Sequence, residues 1–443
     1  MRISEKKIKR IINSYNLQSR EDVINFIKIN NEDLSIVELS RMAELVNNKR
    51  SDTAAYYSDP NIISFMYKDL PDFEKNVIRI LEPSAGVGNF IDLLVEKYKK
   101  YEKVFIDLVD IDKDSLFLCE YLNNRKSIPE NFVIKYFNTD FLKQDFNCNY
   151  DLIIGNPPFL KKNKVNNWKV YEQQFNDTNS HNISSFFIQK AINLSDYVYM
   201  IMPKYFLHNT DFKKARDLSK QYEIKSIIDF GEKGFKGVLI ETIALLINTK
   251  NTPKYTSVYS VTLDIMNKIK QEKMTDNKFP NWLLYRNEFF DKISKNLKFN
   301  VFTVFRDRSI TNRVLNDNGD VRVLRSRNIL RDGSGIQNIK GYDSYINHND
   351  LKKHTIKKYL NNKEVFLCPN MTYYPRVIQK PDNCVTNGSV AILEVNSNID
   401  VSAKHLEFLN SKEFTDFYRI ARNYSTRSLN IDKNSVFYFG LIN

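Results

Sequence analysis

Between residues 77 and 248, seven short runs rich in β-branched and aromatic residues follow one another: VIRILE, VFIDLVDI, FVIKYF, YDLIIG, YVYMIM, IKSIIDF and TIALLIN. Stretches with apolar positions at helical spacing fall between them, predicting helices over 90–101, 114–124, 183–194 and 211–220. Strands that are apolar on both faces belong in a parallel sheet covered by helices on each side. The reading is an α/β fold with a doubly wound, Rossmann-like sheet, which places ligands beyond the carboxyl ends of the strands.

At 443 residues the chain is too long for one typical core. Four segments are expected: a helical extension over 1–50, a catalytic domain over 51–250, a lysine- and asparagine-rich connector over 251–300, and an irregular mixed α+β domain over 301–443. In the last, VRVL and SVAILEV are candidate strands and 403–420 a closing helical stretch. Ser35 is a candidate N-cap in the first.

The net charge of +13 and pI near 9.2 point to a polyanionic partner. From residue 301 onward there are 21 Lys+Arg against 14 Asp+Glu, and 11 of the 20 arginines. The planar guanidinium fork suits phosphates and guanine edges, so Arg306, Arg308, Arg322, Arg325, Arg327, Arg331, Arg419, Arg422 and Arg427 are the candidate DNA contacts. Four scattered cysteines, an N-terminus with no apolar signal core and no long apolar run predict a soluble cytoplasmic protein without a membrane partner. The five histidines have no metal-ligand spacing, and no metal is expected.

Chemistry-bearing residues sit at the strand ends. Gly86 and Gly88 follow the first strand in Leu81-Glu82-Pro83-Ser84-Ala85-Gly86-Val87-Gly88-Asn89-Phe90, where a glycine turn opening a helix lets backbone approach a ligand. The second strand ends at Asp110-Ile111-Asp112, putting a carboxylate about twenty residues downstream, where it can accept ribose hydroxyls. Asp110 is the candidate, since Asp112 looks like the start of the next helix; the plainer alternative is that one aspartate only caps that helix. The third strand ends at Asp140-Phe141, a carboxylate for an adenine amino group beside an aromatic face.

The fourth strand ends in Asn156-Pro157-Pro158-Phe159. Two prolines remove two N–H donors and leave carbonyls as acceptors. An amide oxygen and the Pro157 carbonyl then suit the two hydrogens of an aromatic amine, with Phe159 stacking on its ring. From about Ala54 onward the chain resembles the amino-group DNA methyltransferases of the TaqI-type order, in which cofactor motifs precede the catalytic tetrad and the target-recognition domain is C-terminal. The resemblance implies S-adenosylmethionine as cofactor and the N6 amine of a flipped-out DNA adenine as target. It assigns Tyr57 and Ser58 to the methionine part of the cofactor, with serine where the family usually has threonine. Glu82 and Pro83 fall near the cofactor amine, Gly86, Gly88 and Phe90 in the cofactor turn, Asp110 and Ile111 at the ribose, and Asp140 and Phe141 in the adenine pocket. Phe235, or alternatively Phe230, would stack on the other face of the base. Residues 321–329 and 409–429 are similar to recognition-domain segments.

Double-stranded DNA is therefore the expected partner of a monomeric enzyme. With no nuclease signature in the chain, any cognate restriction endonuclease would be a separate partner. The rival readings are an RNA adenine or protein glutamine methyltransferase with the same tetrad, and a DNA-binding specificity protein on a methyltransferase scaffold. A tyrosine in place of Phe159 and a missing basic second domain would suit the glutamine enzymes, and neither is seen.

Overall fold

The computed structural model describes residues 5–46, 60–232, 240–372, 374–396, 399–426 and 430–443, the side chains of 60 and 61 excepted. Tyr57, Ser58, Phe235 and Arg427 lie outside the described residues. The chain divides into two compact units, Met1–Thr275 and Asp276–Asn443.

The first unit is built on one nine-stranded sheet. Its strands are β1 (Val77–Glu82), β2 (Lys103–Asp110), β3 (Phe132–Asn138), β4 (Tyr150–Gly155), β5 (Ser195–Pro203), β6 (Glu223–Gly231), β7 (Thr242–Asn248), β8 (Tyr255–Ser260) and β9 (Ile265–Lys270). Their spatial order is β3-β2-β1-β4-β5-β7-β6-β8-β9. The seven apolar runs account for β1 to β7, and β1 through β5 pair in parallel as expected. The chain winds from β1 outward through β2 and β3, then returns to lay β4 on the other side of β1. That reversal makes the β1/β4 boundary the switch point at which open α/β sheets bind ligands.

Two departures from the sequence reading have simple causes. β7 runs antiparallel to both β5 and β6. Gly231 pairs with Thr242, so only ten residues separate β6 from β7, fewer than a parallel crossover needs. The connector expected over 251–300 is divided: β8 and β9 extend the first sheet, and residues from Asp276 onward belong to the second unit. β9, IMNKIK, is a largely exposed edge strand, so burial imposes no clean alternation on it.

Three N-terminal helices, α1 (Glu5–Ser14), α2 (Arg20–Ile29) and α3 (Ile36–Leu45), complete this unit. Ser19 with Asp22, and Ser35 with Glu38, form capping boxes that fix the starts of α2 and α3. The apolar faces of these helices pack with Val87, Leu118 and Leu122, so the extension shares a core with the sheet's helices. Helices α4 (Ile91–Tyr98), α5 (Lys113–Asn123), α6 (Trp168–Gln174) and α7 (Ser184–Leu194) follow β1, β2 and β4.

The second unit is mixed α+β. Phe302–Phe305, Val390–Val395, Val365–Pro369 and Ile378–Gln379 form an antiparallel sheet in that order. Ser344–Ile346, Val321–Leu324 and Cys384–Thr386 form a second, mixed one. Helices Ala403–Leu409 and Lys412–Ala421 occupy the expected closing stretch. Among the described residues no helix is long and apolar enough to cross a membrane.

The β1–α4 turn depends on two left-handed glycines, Gly86 (φ +55°) and Gly88 (φ +80°), which serve different ends. A Cβ on Gly86 would meet nothing within 4 Å, whereas one on Gly88 would lie 2.6 Å from Cys119 Sγ and 2.7 Å from Ile91 Cδ1. Gly88 thus lets α4 approach α5. Gly88→Ala should destabilise the protein by about 1–3 kcal/mol through overpacking and backbone strain, read as a lowered melting temperature; a melt equal to wild type would show that the close approach does not matter.

Candidate active site

A cavity of about 540 Å³ opens at the carboxyl ends of β1 to β4, within the size range of small-molecule sites. Each strand end contributes a polar group. Glu82 closes β1 and is 1% exposed, with Oε2 buried and lacking a hydrogen-bond partner. Asp110 closes β2: its Oδ2 accepts the Gly86 N–H at 2.7 Å and its Oδ1 the Asp112 N–H at 2.8 Å. The Ala85 N–H donates to the Val109 carbonyl at 3.0 Å, so the glycine turn is fastened to the end of β2 twice.

Burial raises both carboxyls. Desolvation, then the Asp110 charge, pushes Glu82 well above the ordinary carboxylate value, with Lys126 opposing. Desolvation brings Asp110 to about 6, against the hydrogen bonds from Asp112 and Gly86. Asp112 has a different occupation. It begins α5, accepts the Ser115 hydroxyl at 2.5 Å and pairs with Arg20 of α2. Asp110 and Asp112 both line the cavity, Asp110 holding backbone N–H groups and Asp112 engaged with Ser115 and Arg20.

Beyond β3, Asp140 Oδ1 accepts the Leu142 N–H at 2.9 Å and Oδ2 the Tyr171 hydroxyl at 2.8 Å. Phe141 lines the cavity, 2% exposed, with its ring centroid 5.2 Å from that of Phe187. Ile111 is 70% exposed and also lines it, an apolar side chain held beside open space. Pro83, Gly86 and Phe90 complete the expected cofactor residues found there. Gly88 is the exception: it packs against Cys119 and Ile91 and does not line this cavity.

The Asn156-Pro157-Pro158-Phe159 turn leaves β4 at the switch point. Its backbone is pinned to the turn after β1, since the Ser84 hydroxyl donates to the Asn156 carbonyl at 3.1 Å. Gly155 permits this, for a Cβ there would sit 3.1 Å from Pro83 Cδ. Asn156 and Pro158 line the cavity, and Pro157 is buried behind them. Phe159, expected as an open stacking face, is 5% exposed and packs in the apolar core around the sheet, while its carbonyl accepts from Asn182 at 3.3 Å. Phe230, the alternative to Phe235, is fully buried in β6 and belongs to the same core. Near the root of the β6–β7 connection, Lys204 (3% exposed) pairs with Asp229 at 2.8 Å and Glu241 at 3.6 Å.

Sequence spacing had not pointed to Tyr171, Phe187, Arg20 or Glu44, all of which line the cavity. Tyr171 and Phe187 come from helices after the Asn156 turn, Arg20 and Glu44 from the N-terminal extension. No short motif links them to the strand ends.

In the second unit the arginines are not one set. Arg308, Arg327, Arg331 and Arg419 are exposed. Arg325 and Arg327 both lie over the Tyr342 ring, at 4.3 and 4.8 Å, and Arg419 lies over Tyr424 at 5.3 Å. Arg306 donates to Asn430 at 3.3 Å, and Arg322 donates to the Gln337 carbonyl at 2.8 Å and pairs with Asp343 at 3.3 Å. Arg422 is 4% exposed and cannot meet DNA in this conformation; it lies in the helical stretch whose Tyr418 and Phe417 are buried with it. A basic residue within an amphipathic helix gives no sign in the sequence of which way it packs.

Residues 23–235, just under half of the chain, match the family described as Eco57I restriction-modification methylase. The type II methyltransferase M.CvrRI of Paramecium bursaria Chlorella virus XZ-6E is 27% identical over 234 residues, 52% of this chain and 56% of that protein. The type II methyltransferase M.AccI of Acinetobacter calcoaceticus is 28% identical over 228 residues, 47% of this chain and 39% of that protein. The chain thus spans about half, or less, of the length of these relatives. A solved type IIL restriction-modification enzyme, MmeI, in complex with DNA is 11% identical, with 98% of this chain and 67% of that one covered at a TM-score of 0.48. Residues 23–235 are thus similar to restriction-modification methylases of the Eco57I type.

Proposed function

We propose that this protein is a DNA methyltransferase that methylates the N6 amine of an adenine swung out of the duplex. The observation that carries the reading is the Asn156-Pro157-Pro158 turn at the β1/β4 switch point, locked by Ser84 and opening onto the cavity that holds Glu82, Asp110 and Asp140. The cavity fits S-adenosylmethionine on its own chemistry. The unpartnered Glu82 oxygen offers an acceptor to a cationic ammonium, and Asp110 keeps lone pairs for a ribose diol. Ile111 and Phe141 supply apolar walls for a flat heterocycle, and the space beside Gly86, which a Cβ would fill, allows close backbone approach.

When bound, the cofactor supplies an activated methyl group. The protein's part is to hold and polarise the target. The Asn156 side-chain oxygen and the Pro157 carbonyl accept the two amine hydrogens, which draws the nitrogen toward tetrahedral geometry and frees its lone pair. No proton need leave before attack, so no general base is assigned. Orientation and fixed dipoles of this kind are each worth several kcal/mol of barrier. Extruding the base costs about a few kcal/mol, offset by contacts in the pocket. Duplex DNA as substrate is supported by the arginine-rich second unit, and a separate restriction endonuclease is the partner such a modification enzyme would protect against.

Asn156→Ala should bind S-adenosylmethionine as wild type does in calorimetry and yet lose methyl transfer by at least about 100-fold. Nucleoside mass spectrometry of DNA from cells expressing the wild-type chain should show N6-methyladenine; methylated cytosine in its place would sink the adenine assignment. The electrostatics give a second test. A carboxyl whose folded value is raised loses stability as pH climbs from its unfolded value through the folded one. Glu82→Gln should therefore melt higher than wild type at pH 8, by on the order of 1 kcal/mol, with the gain shrinking as pH falls toward 4.5. The same variant should bind S-adenosylmethionine at least 10-fold more weakly, and equal affinity would remove Glu82 from the site.

A further inference from the structure

The segment directly after the catalytic turn differs in charge from its surroundings. Residues 157–171, PPFLKKNKVNNWKVY, carry four lysines and no acidic residue. Lys162 is held by Glu172 at 2.6 Å. Lys161, Lys164 and Lys169 are exposed, and among the described residues none of the three has a carboxylate within ion-pair distance. Elsewhere in the unit exposed lysines are of both kinds: Lys75, Lys99, Lys213 and Lys250 are paired with acids, while Lys68, Lys135 and Lys254 have no ion pair among the described residues, so what sets the segment apart is a run of cations with no acid between them. Three exposed asparagines, Asn163, Asn166 and Asn167, add amide donors between the lysines.

The segment is a built platform. The Ile183 N–H donates to the Leu160 carbonyl and the Lys162 N–H to the His181 carbonyl, both at 2.9 Å. Trp168 is 5% exposed and packs on Phe186 at 5.2 Å, and the Tyr171 hydroxyl is tied to Asp140. Lys164, Asn166 and Asn167 also line the cavity, so the exposed Lys164 stands at its edge, with Lys161 and Lys169 on the same segment within five residues of it. Fixed backbone with unpaired cations and amide donors suits a row of phosphates, because ammonium groups act on phosphate as point charges without reading sequence.

We propose that Lys161, Lys164 and Lys169 form a DNA-backbone contact belonging to the catalytic unit itself, gripping phosphates that flank the flipped nucleotide. The inference rests on the DNA-methyltransferase reading and adds a surface to it that is separate from the arginine-rich unit. Its role is to hold the strand beside the cavity while the base is out of the stack.

The test uses the full chain, a fluorescent 30-base-pair duplex and titrations from 50 to 300 mM KCl. The triple variant K161A/K164A/K169A should bind at least 10-fold more weakly at 100 mM salt. Its slope of log affinity against log salt should be shallower by about 0.9 for each lysine that touches a phosphate. K161A/K169A, whose residues do not line the cavity, should bind S-adenosylmethionine as wild type does, and the control K99A/K213A/K250A should keep the wild-type slope. K164E alone should weaken duplex binding further than K164A. A triple variant with wild-type affinity and slope overturns the surface while leaving the methyltransferase reading intact. Failure of the wild-type chain to bind duplex DNA at all overturns that reading, and tighter binding to single-stranded RNA of equal length overturns the choice of DNA.

Discussion

The close approach of two turns at the β1/β4 boundary governs what the first unit can do. Winding β4 back beside β1 brings two strand ends together and sends their following chains apart, one into α4 and the other into the Asn156 turn. Gly155 allows Pro83 to come near, and the Ser84 hydroxyl then ties the two turns at the Asn156 carbonyl. The Asn156 turn and the glycine turn after β1 are thereby tied to one another by a side-chain-to-backbone hydrogen bond at their bases. A fixed spacing between two turns that both line the cavity sets its shape.

The same junction concentrates negative charge where water is scarce. Burial raises the cost of ionising both Glu82 and Asp110, and the Asp110 charge raises that of Glu82 further. Neither group is needed for packing, since apolar residues of equal size would fill the strand ends more cheaply. An arrangement that sacrifices stability at a cavity wall makes sense if a cation offsets it on binding. Arg20, reaching from α2 to Asp112 and Asp114, pairs with the outermost carboxylates of the cluster. The N-terminal helices are thus part of this wall as well as of the core.

How much of this was legible follows from which forces leave a mark in the chain. β4 and β7 were readable because they are buried on both faces and continuous apolar runs result, and the edge strand β3 because its run is apolar and aromatic even where it is partly exposed. β8 has one exposed face and β9, IMNKIK, is an edge strand that meets solvent, so neither needs such a run. The strand-end carboxylates and the Asn156 turn were legible because their chemistry is local in sequence. Tyr171, Phe187, Arg20 and Glu44 were not, because they reach the cavity through tertiary packing of separate helices. Phe159 and Arg422 mark the opposite error. Residue type alone suggested a ligand-facing ring and a DNA-facing cation, while the packing buries both. Gly88 is similar: its glycine is required by Cys119 and Ile91, and the motif that contains it could not say so.

The segment after Asn156 and the arginine set of the second unit differ in the kind of cation they carry. That segment carries lysines, while nine of the expected contacts in the second unit are arginines, several steadied on tyrosine rings or carboxylates. Ammonium groups on long stems adapt to many geometries, whereas a guanidinium presents a fixed planar fork. Arg325 and Arg327 share the Tyr342 ring, at 4.3 and 4.8 Å, and a guanidinium already resting on an aromatic face has less freedom left to lose in any further contact.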